Sequence, residues 1–390
     1  MKSHWRLPRG VDELLPPAAW QLELLRRKVL DLFDSWGFEY VDPPVIEYLD
    51  ALLVGSGEDL DLQTLKVVDQ VSGRQLGVRA DMTSQAVRID AHSLVTDGVQ
   101  RLCYAGPVVF ANPQIAQNSR VPFKAGAEIF GAAGIEADAE VIALMLSTVH
   151  QAEIEEPVLL LGHMGIYLGL VAQLIAEGSL AAEDEGRLFT CVQRKSQADI
   201  RALLKKTPCS EMMTALPLMM GELAVMGDVR QLLSGAPASV LQALEDLQSL
   251  AEQVSELHPG LCLRLDVSEL SGYGYHNGPV YAVYHPTHGS ALAQGGRYDD
   301  VGEVFGRLRP ATGFDVNLKL LINTVANRDI IFAPHAPPAQ RAALLLEVAS
   351  LRAAGERVQC ALSSEERPPS ACQRVLAQVN EKWQVVANHE

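Results

Sequence analysis

Apolar residues recur every three to four positions between Ala18 and Trp36, at Leu22, Leu25, Val29, Leu32, Phe33 and Trp36. That spacing places one apolar stripe along a helix, opened by Pro16-Pro17 and closed by Gly37. Phe38 to Val41 then leads into Asp42-Pro-Pro-Val-Ile46, and prolines without an N–H to donate fit an edge or interface strand better than a central one. Around Ser72-Gly73 the pattern predicts a hairpin over Leu65 to Val78 with a projecting tip. Two further strands are expected at Leu102 to Phe110 and Ala125 to Phe130, joined by the polar loop Asn112 to Val121. A helix is expected at Ala137 to Gln151 and a buried strand at Val158 to Gly162.

From Met164 to about Leu257 the periodicity is helical, with breaks at Gly178, Pro208, Pro217, Gly227 and Pro237. Strand patterns return at Leu261 to Val267, Gly278 to Tyr284 and Ser290 to Gln294, and Thr312 to Val325 reads as a strand followed by a helix. Sheet on both sides of a helical block argues for one α+β domain, residues 1–328, with an insertion at about 164–257. Residues 329–390 read as a small α/β appendage: a strand within Asp329 to Pro338, a helix at Gln340 to Gly355, a strand at Arg357 to Ala361, a helix at Pro369 to Val379 and a strand at Trp383 to Val386.

Charge narrows the function. The chain has 48 acidic and 32 basic residues, a formal net charge of −16. Proteins that hold RNA neutralise phosphates with lysine and arginine, so this balance disfavours tRNA binding. Six scattered cysteines without C-x-x-C spacing suggest neither a zinc site nor a disulfide framework, and a reducing cytoplasm is the expected setting. Met1 to Gly10 has no apolar run after its basic residues, and no uninterrupted run of eighteen apolar residues occurs, so neither a signal peptide nor a membrane span is expected.

Several segments together resemble class II aminoacyl-tRNA synthetases, histidyl-tRNA synthetase in particular. They are Leu7-Pro-Arg-Gly-Val-Asp-Glu-Leu-Leu-Pro16, Gly37-Phe-Glu-Tyr-Val-Asp-Pro-Pro-Val-Ile-Glu47 in the place of the dimer-forming first motif, and Arg79-Ala-Asp-Met-Thr-Ser-Gln-Ala-Val-Arg88. Tyr104-Ala-Gly-Pro107 and Gly126-Ala-Glu-Ile-Phe-Gly131 bracket the position of motif 2, the ATP-binding hairpin. Ser271 to Gly278, Gly295-Gly-Arg-Tyr-Asp299 and Pro310-Ala-Thr-Gly-Phe314 follow in the family's order. The resemblance covers about residues 5 to 325 and implies an antiparallel sheet with flanking helices and a helical insertion.

The departures bear on function. In the family, motif 2 carries an arginine for the ATP α-phosphate and a glutamate for adenine; Val109-Phe-Ala-Asn-Pro113 has neither. The arginine of the segment at 271–278 is replaced by Ser271, and the motif 3 arginine by Leu320, after Lys319. Adenylation depends on stabilising spreading phosphate charge, and one lost donor costs about 10²–10³ in rate. The amino-acid pocket is better kept. The resemblance places Asp81 against a substrate ammonium with Thr83 nearby, and Glu128 and Tyr298 at an imidazole. Tyr275 and His276 fall in the same pocket, His276 in the place of a tyrosine, and Lys124 in the place of a glutamine. An inert alternative remains open, in which Asp81 pairs with Arg79 or Arg88, Glu128 pairs with Lys124, and Gly295-Gly296 serves only a tight turn.

About sixty residues follow Asp329, where a full anticodon-binding domain needs about a hundred. A synthetase-like chain with these losses resembles the regulatory subunits of ATP phosphoribosyltransferase. That resemblance implies a subunit without catalysis, cofactor or metal of its own, which activates the short-form catalytic subunit and mediates feedback inhibition by histidine. It further implies a homodimer within a hetero-octamer of four subunits of each kind. The rival readings are a diverged adenylate-forming ligase and a regulator that senses uncharged tRNA.

Overall fold

A computed structural model describes residues 5–54, 58–113, 119–272, 274–322, 329–369 and 372–388. Two compact units divide the chain: Met1–Leu14 with Gln21–Asn323, and Leu15–Trp20 with Thr324–Glu390. The first predicted helix is Ala18–Ser35, burying Leu25, Val29 and Phe33 at i, i+4 and i+8. Gly37, at φ +78°, ends it in a Schellman turn: Gly37 N–H donates to Asp34 O at 2.9 Å and Phe38 N–H to Phe33 O at 3.1 Å.

The sheets of the first unit follow from alternation of apolar and polar positions. β1 (Glu39–Tyr40) opens the large sheet, and β2 (Ile46–Tyr48), β3 (Leu65–Val68) and β4 (Gln75–Val78) form a separate antiparallel sheet that contains the predicted hairpin. The chain then returns to the large sheet with β5 (Gln100–Pro107), β6 (Phe123–Phe130), β7 (Val158–His163), β8 (Met220–Gly221), β9 (Cys262–Asp266), β10 (Pro279–Tyr284), β11 (Ala293–Arg297) and β12 (Ala311–Asn317). Their order is β1-β5-β6-β12-β11-β10-β7-β9-β8, antiparallel except at β1/β5 and β7/β9. Pro43 and Pro44 lie in the irregular link between β1 and β2, outside both strands, and β1 and β2 each stand at an edge of their sheet.

Successive side chains point to opposite faces of a strand, so the two faces of β5, β6, β11 and β12 separate cleanly. Cys103, Ala105, Ala125, Ala127, Ile129, Ala293, Phe314 and Val316 join Phe33, Ile142 and Met145 in the main core beneath Ala18–Ser35 and the helix Ile135–His150. The opposite face presents Leu102, Tyr104, Phe130, Tyr298 and Ala311 to Ala80, Met82, Ala86 and Val87 in a second core. Polar residues in register with this second set, namely Lys124, Glu128 and Asp315, face the same way.

The helical block contains Met164–Ala176, Glu185–Gln193, Gln197–Leu203, Pro208–Ala215, Met226–Leu232 and Ala238–Leu257. It is not wholly helical: β8 leaves it to pair with β9 at the outer edge of the large sheet. The strand expected at Ser290 to Gln294 is displaced to Ala293–Arg297, because Gly295 and Gly296 lie inside it and not at a turn. A methyl on Gly296 would stand 2.8 Å from Pro279 O, and one on Gly295 2.8 Å from the Phe314 Cα, so close strand neighbours demand both glycines. After β12 a single helical turn, Leu318–Leu321, follows and ends at the extended Ile322, short of the helix expected to Val325; positions 323–325 lie outside the described residues, as do positions 114–118 of the loop from Asn112 to Val121.

In the second unit β13 (Ile331–Ala333), β14 (Val358–Cys360), β15 (Arg374–Val379) and β16 (Lys382–Ala387) form a sheet in the order β14-β13-β15-β16. The helix Pro338–Ala353 links parallel β13 and β14 and buries Leu344 and Val348 against it. The expected helix at Pro369 to Val379 is instead β15. Val375, Leu376 and Val379 match helical spacing, but the segment pairs with β13 on one side and β16 on the other. A two-residue turn closes that hairpin, with Asn380 at φ +48° and Glu381 at φ +66°. Positive φ at both positions is the signature of a type I′ turn, and Asn380 was the local signal for it.

Candidate functional site

Four strands carry the site, and glycine makes the room in it. On β6, Glu128 is 1 % exposed and sits opposite Gly313 of β12. A methyl there would overlap the Glu128 carboxylate. Tyr104 of β5 lies opposite Gly126, where a methyl would stand 2.6 Å from its ring. Tyr104 donates its hydroxyl to Glu128 Oε1 at 2.8 Å, and Tyr298, which follows β11, donates to Oε2. Burial pushes the Glu128 carboxyl up to about 8, although both phenols favour its charged form. Burial likewise holds the Tyr104 and Tyr298 hydroxyls well above their ordinary value, so they remain donors.

A second cluster adjoins the first. Thr83, at the start of the helix Thr83–Arg88, places its Oγ1 3.1 Å from the Tyr104 hydroxyl and donates its backbone N–H to Asp81 Oδ1 at 2.6 Å. Lys124 Nζ donates to Asp81 Oδ2 at 3.1 Å and to Asp315 Oδ2 at 2.8 Å. Burial opposes charge on all three. Around Asp81, the Lys124 ammonium and the Thr83 donors outweigh it and hold the carboxyl below its usual value. Asp315 is raised, because burial and the Asp81 charge prevail over Lys124. Lys124 is raised as well, since burial is outweighed by Asp315 and Asp81. Tyr298, Glu128, Tyr104, Thr83, Asp81, Lys124 and Asp315 thus form one continuous polar path.

Tyr275 lies against Tyr298 with ring centroids 5.0 Å apart, and its buried hydroxyl has no hydrogen-bond partner among the described residues. A buried hydroxyl left unpaired is unfavourable. His276 packs edge-on against Tyr275 at 5.3 Å, and its Nδ1 lies 3.1 Å from Ser271 O. Its imidazole is pulled below the usual value by burial. The structure therefore gathers Asp81, Thr83, Lys124, Glu128, Tyr275 and Tyr298, with His276 behind Tyr275.

The inert pairings fail on geometry. Arg88 pairs with Glu47 at 2.6 Å, and Arg79 is buried, with Nε donating to Pro107 O at 3.0 Å and Nη1 to Pro43 O. Lys124 pairs with Asp81 and Asp315, not with Glu128. Two members of the path, Tyr104 and Asp315, were not singled out as site residues from sequence. Tyr104 had a signal, since it shares a sheet face with Glu128; Asp315 had one too, as the lone charge in the strand Ala311–Asn317.

Other parts of the segments that carry the resemblance are structural. Arg297 donates to Asp138 at 2.7 Å and 3.1 Å, to the Ala132 and Gly134 carbonyls at 3.0 Å, and to Asp299 at 3.2 Å. Asp299 in turn accepts from Ala311 N–H at 3.0 Å. Where a synthetase positions ATP, Phe110 is buried, Ser271 donates to Glu269 at 2.6 Å, and Leu320 packs on the main core. Lys319 is engaged with Asp12 at 2.9 Å. Two surface clefts lie elsewhere: one of about 480 Å³ is lined by Leu160, Met220 and Tyr284, and one of about 410 Å³ by Gln197, Arg201 and Glu211. Neither brings together several buried charges as the path does.

Comparison with known proteins identifies the family and the fold. The histidyl-tRNA synthetase family matches residues 10–321, and the ATP phosphoribosyltransferase subunit HisZ C-terminal domain matches residues 328–386. The ATP phosphoribosyltransferase regulatory subunit of Thioalkalivibrio sulfidiphilus is 46% identical over 98% of both chains, and that of Pseudomonas syringae pv. tomato is 45% identical over the same shares. A solved Bacillus halodurans protein described as an ATP phosphoribosyltransferase regulatory subunit/histidyl-tRNA synthetase superposes with a TM-score of 0.82 at 25% identity, covering 94% of this chain and 95% of that one. Histidyl-tRNA synthetase from a Nostoc species shares the fold, with a TM-score of 0.79 at 15% identity over 99% of this chain and 97% of that one. The chain belongs to the ATP phosphoribosyltransferase regulatory subunits, built on the histidyl-tRNA synthetase-like class II fold.

Proposed function

We propose that this protein joins the short-form catalytic subunit of ATP phosphoribosyltransferase in the cytoplasm, raises its activity and transmits feedback inhibition by histidine. The observation that carries the histidine reading is the polar path: a carboxyl held by two phenols beside an orphaned Tyr275 hydroxyl at one end, and Asp81 at the other. Carboxylate against ammonium, and carboxyl and phenol against imidazole nitrogens, are the pairings a histidine ligand requires. Ser271, Leu320 and Phe110 stand where adenylation needs charge, which supports a pocket that binds without activating. Net charge −16 speaks against tRNA as a partner.

Self-association through the Gly37 to Glu47 segment is part of the reading. Tyr40, Val45 and Ile46 are about half exposed, an apolar row that suits a homodimer interface. Two such dimers with four catalytic subunits make the proposed hetero-octamer.

The test is an assay of the short-form catalytic subunit with and without this protein, over a histidine titration. Stimulation, and inhibition by histidine, are expected; Glu128→Gln should keep the stimulation and move inhibition to higher histidine, because an amide cannot give up a proton to become a carboxylate against the ligand's imidazole. Ligands of the catalytic subunit that favour the active state must weaken histidine binding by the same factor that histidine weakens theirs, about 5–150-fold for ordinary coupling. An unstimulated catalytic subunit refutes the reading. Pyrophosphate exchange with ATP and histidine at an enzymic rate would establish the ligase instead.

A further inference from the structure

Lys124 has two carboxylate partners and a third N–H with no acceptor among the described residues. Its side chain is 12% exposed, and those of Asp81 and Asp315 are 22% and 16% exposed. Two carboxylates around one ammonium leave one negative charge unbalanced. A ligand ammonium meets that charge without moving the lysine, and a ligand carboxylate meets the third Lys124 N–H, so a zwitterion is matched at both ends and adds no net charge to the cluster. Expelling Lys124 to make room would instead leave a buried charge unpaired, which is strongly unfavourable. Lys124 is also the one cation bonded to the carboxylates of this path among the described residues; Ser271, at its rim, brings none.

Resting on the histidine reading above, we propose that Lys124 anchors the α-carboxylate of the ligand while Asp81 and Asp315 take its α-ammonium. The pocket thereby selects a free amino-acid zwitterion. Charges then alternate around the head of the ligand, and the ring extends toward Glu128. Lys124 and Glu128 lie four residues apart on β6, about 13 Å at 3.3 Å per residue, with Thr83 and Tyr104 bridging the interval. Asp315 thus becomes a specificity residue that no sequence motif marked.

Calorimetric titration of the full chain with histidine, histamine (no carboxylate) and imidazolepropionate (no ammonium) tests this. Wild type is expected to bind histidine at least about tenfold more tightly than either analogue. Lys124→Gln should lose at least about tenfold for histidine, with little change for histamine. Should the single variant fail to fold with Asp81 and Asp315 unbuffered, the pair Lys124→Gln with Asp315→Asn keeps the net charge and should show the same loss of discrimination. An unchanged ratio of histidine to histamine affinity in the folded variant overturns the proposal. Tighter histidine binding by Lys124→Gln also overturns it, because Lys124 would then compete for the ammonium position. Histidine binding that resists Lys124→Gln but falls in Glu128→Gln sinks the anchor and leaves the pocket. No binding by wild type removes both.

Discussion

Replacing Glu128 with Gln should stabilise the protein by an amount that grows with pH. Burial raises the carboxyl from 4.5 to about 8 in the folded chain, so the folded state holds this proton more tightly than the unfolded state does. Stability from protonated Glu128 is whole below the unfolded value of about 4.5 and is lost as pH rises through about 8. Gln resembles the protonated form, with one acceptor oxygen and one donor group for Tyr104 and Tyr298, and does not titrate. Below pH 4.5 the two proteins should differ little. Each further unit adds about 1.4 kcal/mol in favour of the variant, and the rise of about 3.5 units sets a ceiling of about 5 kcal/mol. Water entering around an ionised Glu128 would lower that ceiling, so about 2–3 kcal/mol at pH 9 is the expected size.

The assay is urea unfolding of both proteins at half-unit steps from pH 4.5 to 9, taking the difference at each step. Differencing removes the titration of groups common to both. The expected curve is flat at low pH, climbs through the window between about 4.5 and 8, and levels above it. A constant difference across the window refutes the raised carboxyl. A difference that climbs in the wild type's favour refutes the sign, and would mean that an unseen positive partner holds Glu128 charged.

Gly313→Ala should disturb the same carboxylate from the other side. Its methyl would overlap Glu128, and overpacking of this kind costs about 1–3 kcal/mol, read as a lowered urea midpoint; combination with Glu128→Ala should recover part of the loss. Ile46→Asp, on the half-exposed apolar row beside the prolines, should turn the sedimenting dimer into a monomer without altering the far-ultraviolet circular dichroism; a dimer that persists places the interface elsewhere.

What the sequence conveyed about the fold depends on how local each determinant is. The helix Ala18–Ser35 was legible because its stripe, its opening prolines and its closing Gly37 all lie within the segment. β15 was misread because its stripe fits either period. Pairing with β13, more than forty positions away, decided the matter. The displaced β11 has the same origin: Gly295 and Gly296 read as a turn until the strands packed on both sides require residues without side chains. β8, two residues long, exists only because β9 offers an edge.

The site was legible in its residue types and illegible in its pairing. Glu128, Tyr298, Asp81 and Thr83 stand in segments whose order carried the resemblance, and the structure brings them together. Which cation answers Asp81 was not legible: Arg79 and Arg88 were its candidates and Lys124 was set against Glu128, whereas Lys124 is the partner. The fold decides between them by direction. Arg79 precedes Asp81 by two positions and turns inward to the Pro107 and Pro43 carbonyls, while Arg88 meets Glu47 from the next helix. Lys124 alone comes from a central strand on the face that Asp315 also occupies, two positions out of register across β6 and β12. Asp315 went unmarked because its meaning is wholly relational: an aspartate in an apolar strand is a liability until an ammonium stands beside it. Lys124 and Asp315 therefore make one unit, visible as such only when both side chains share a face.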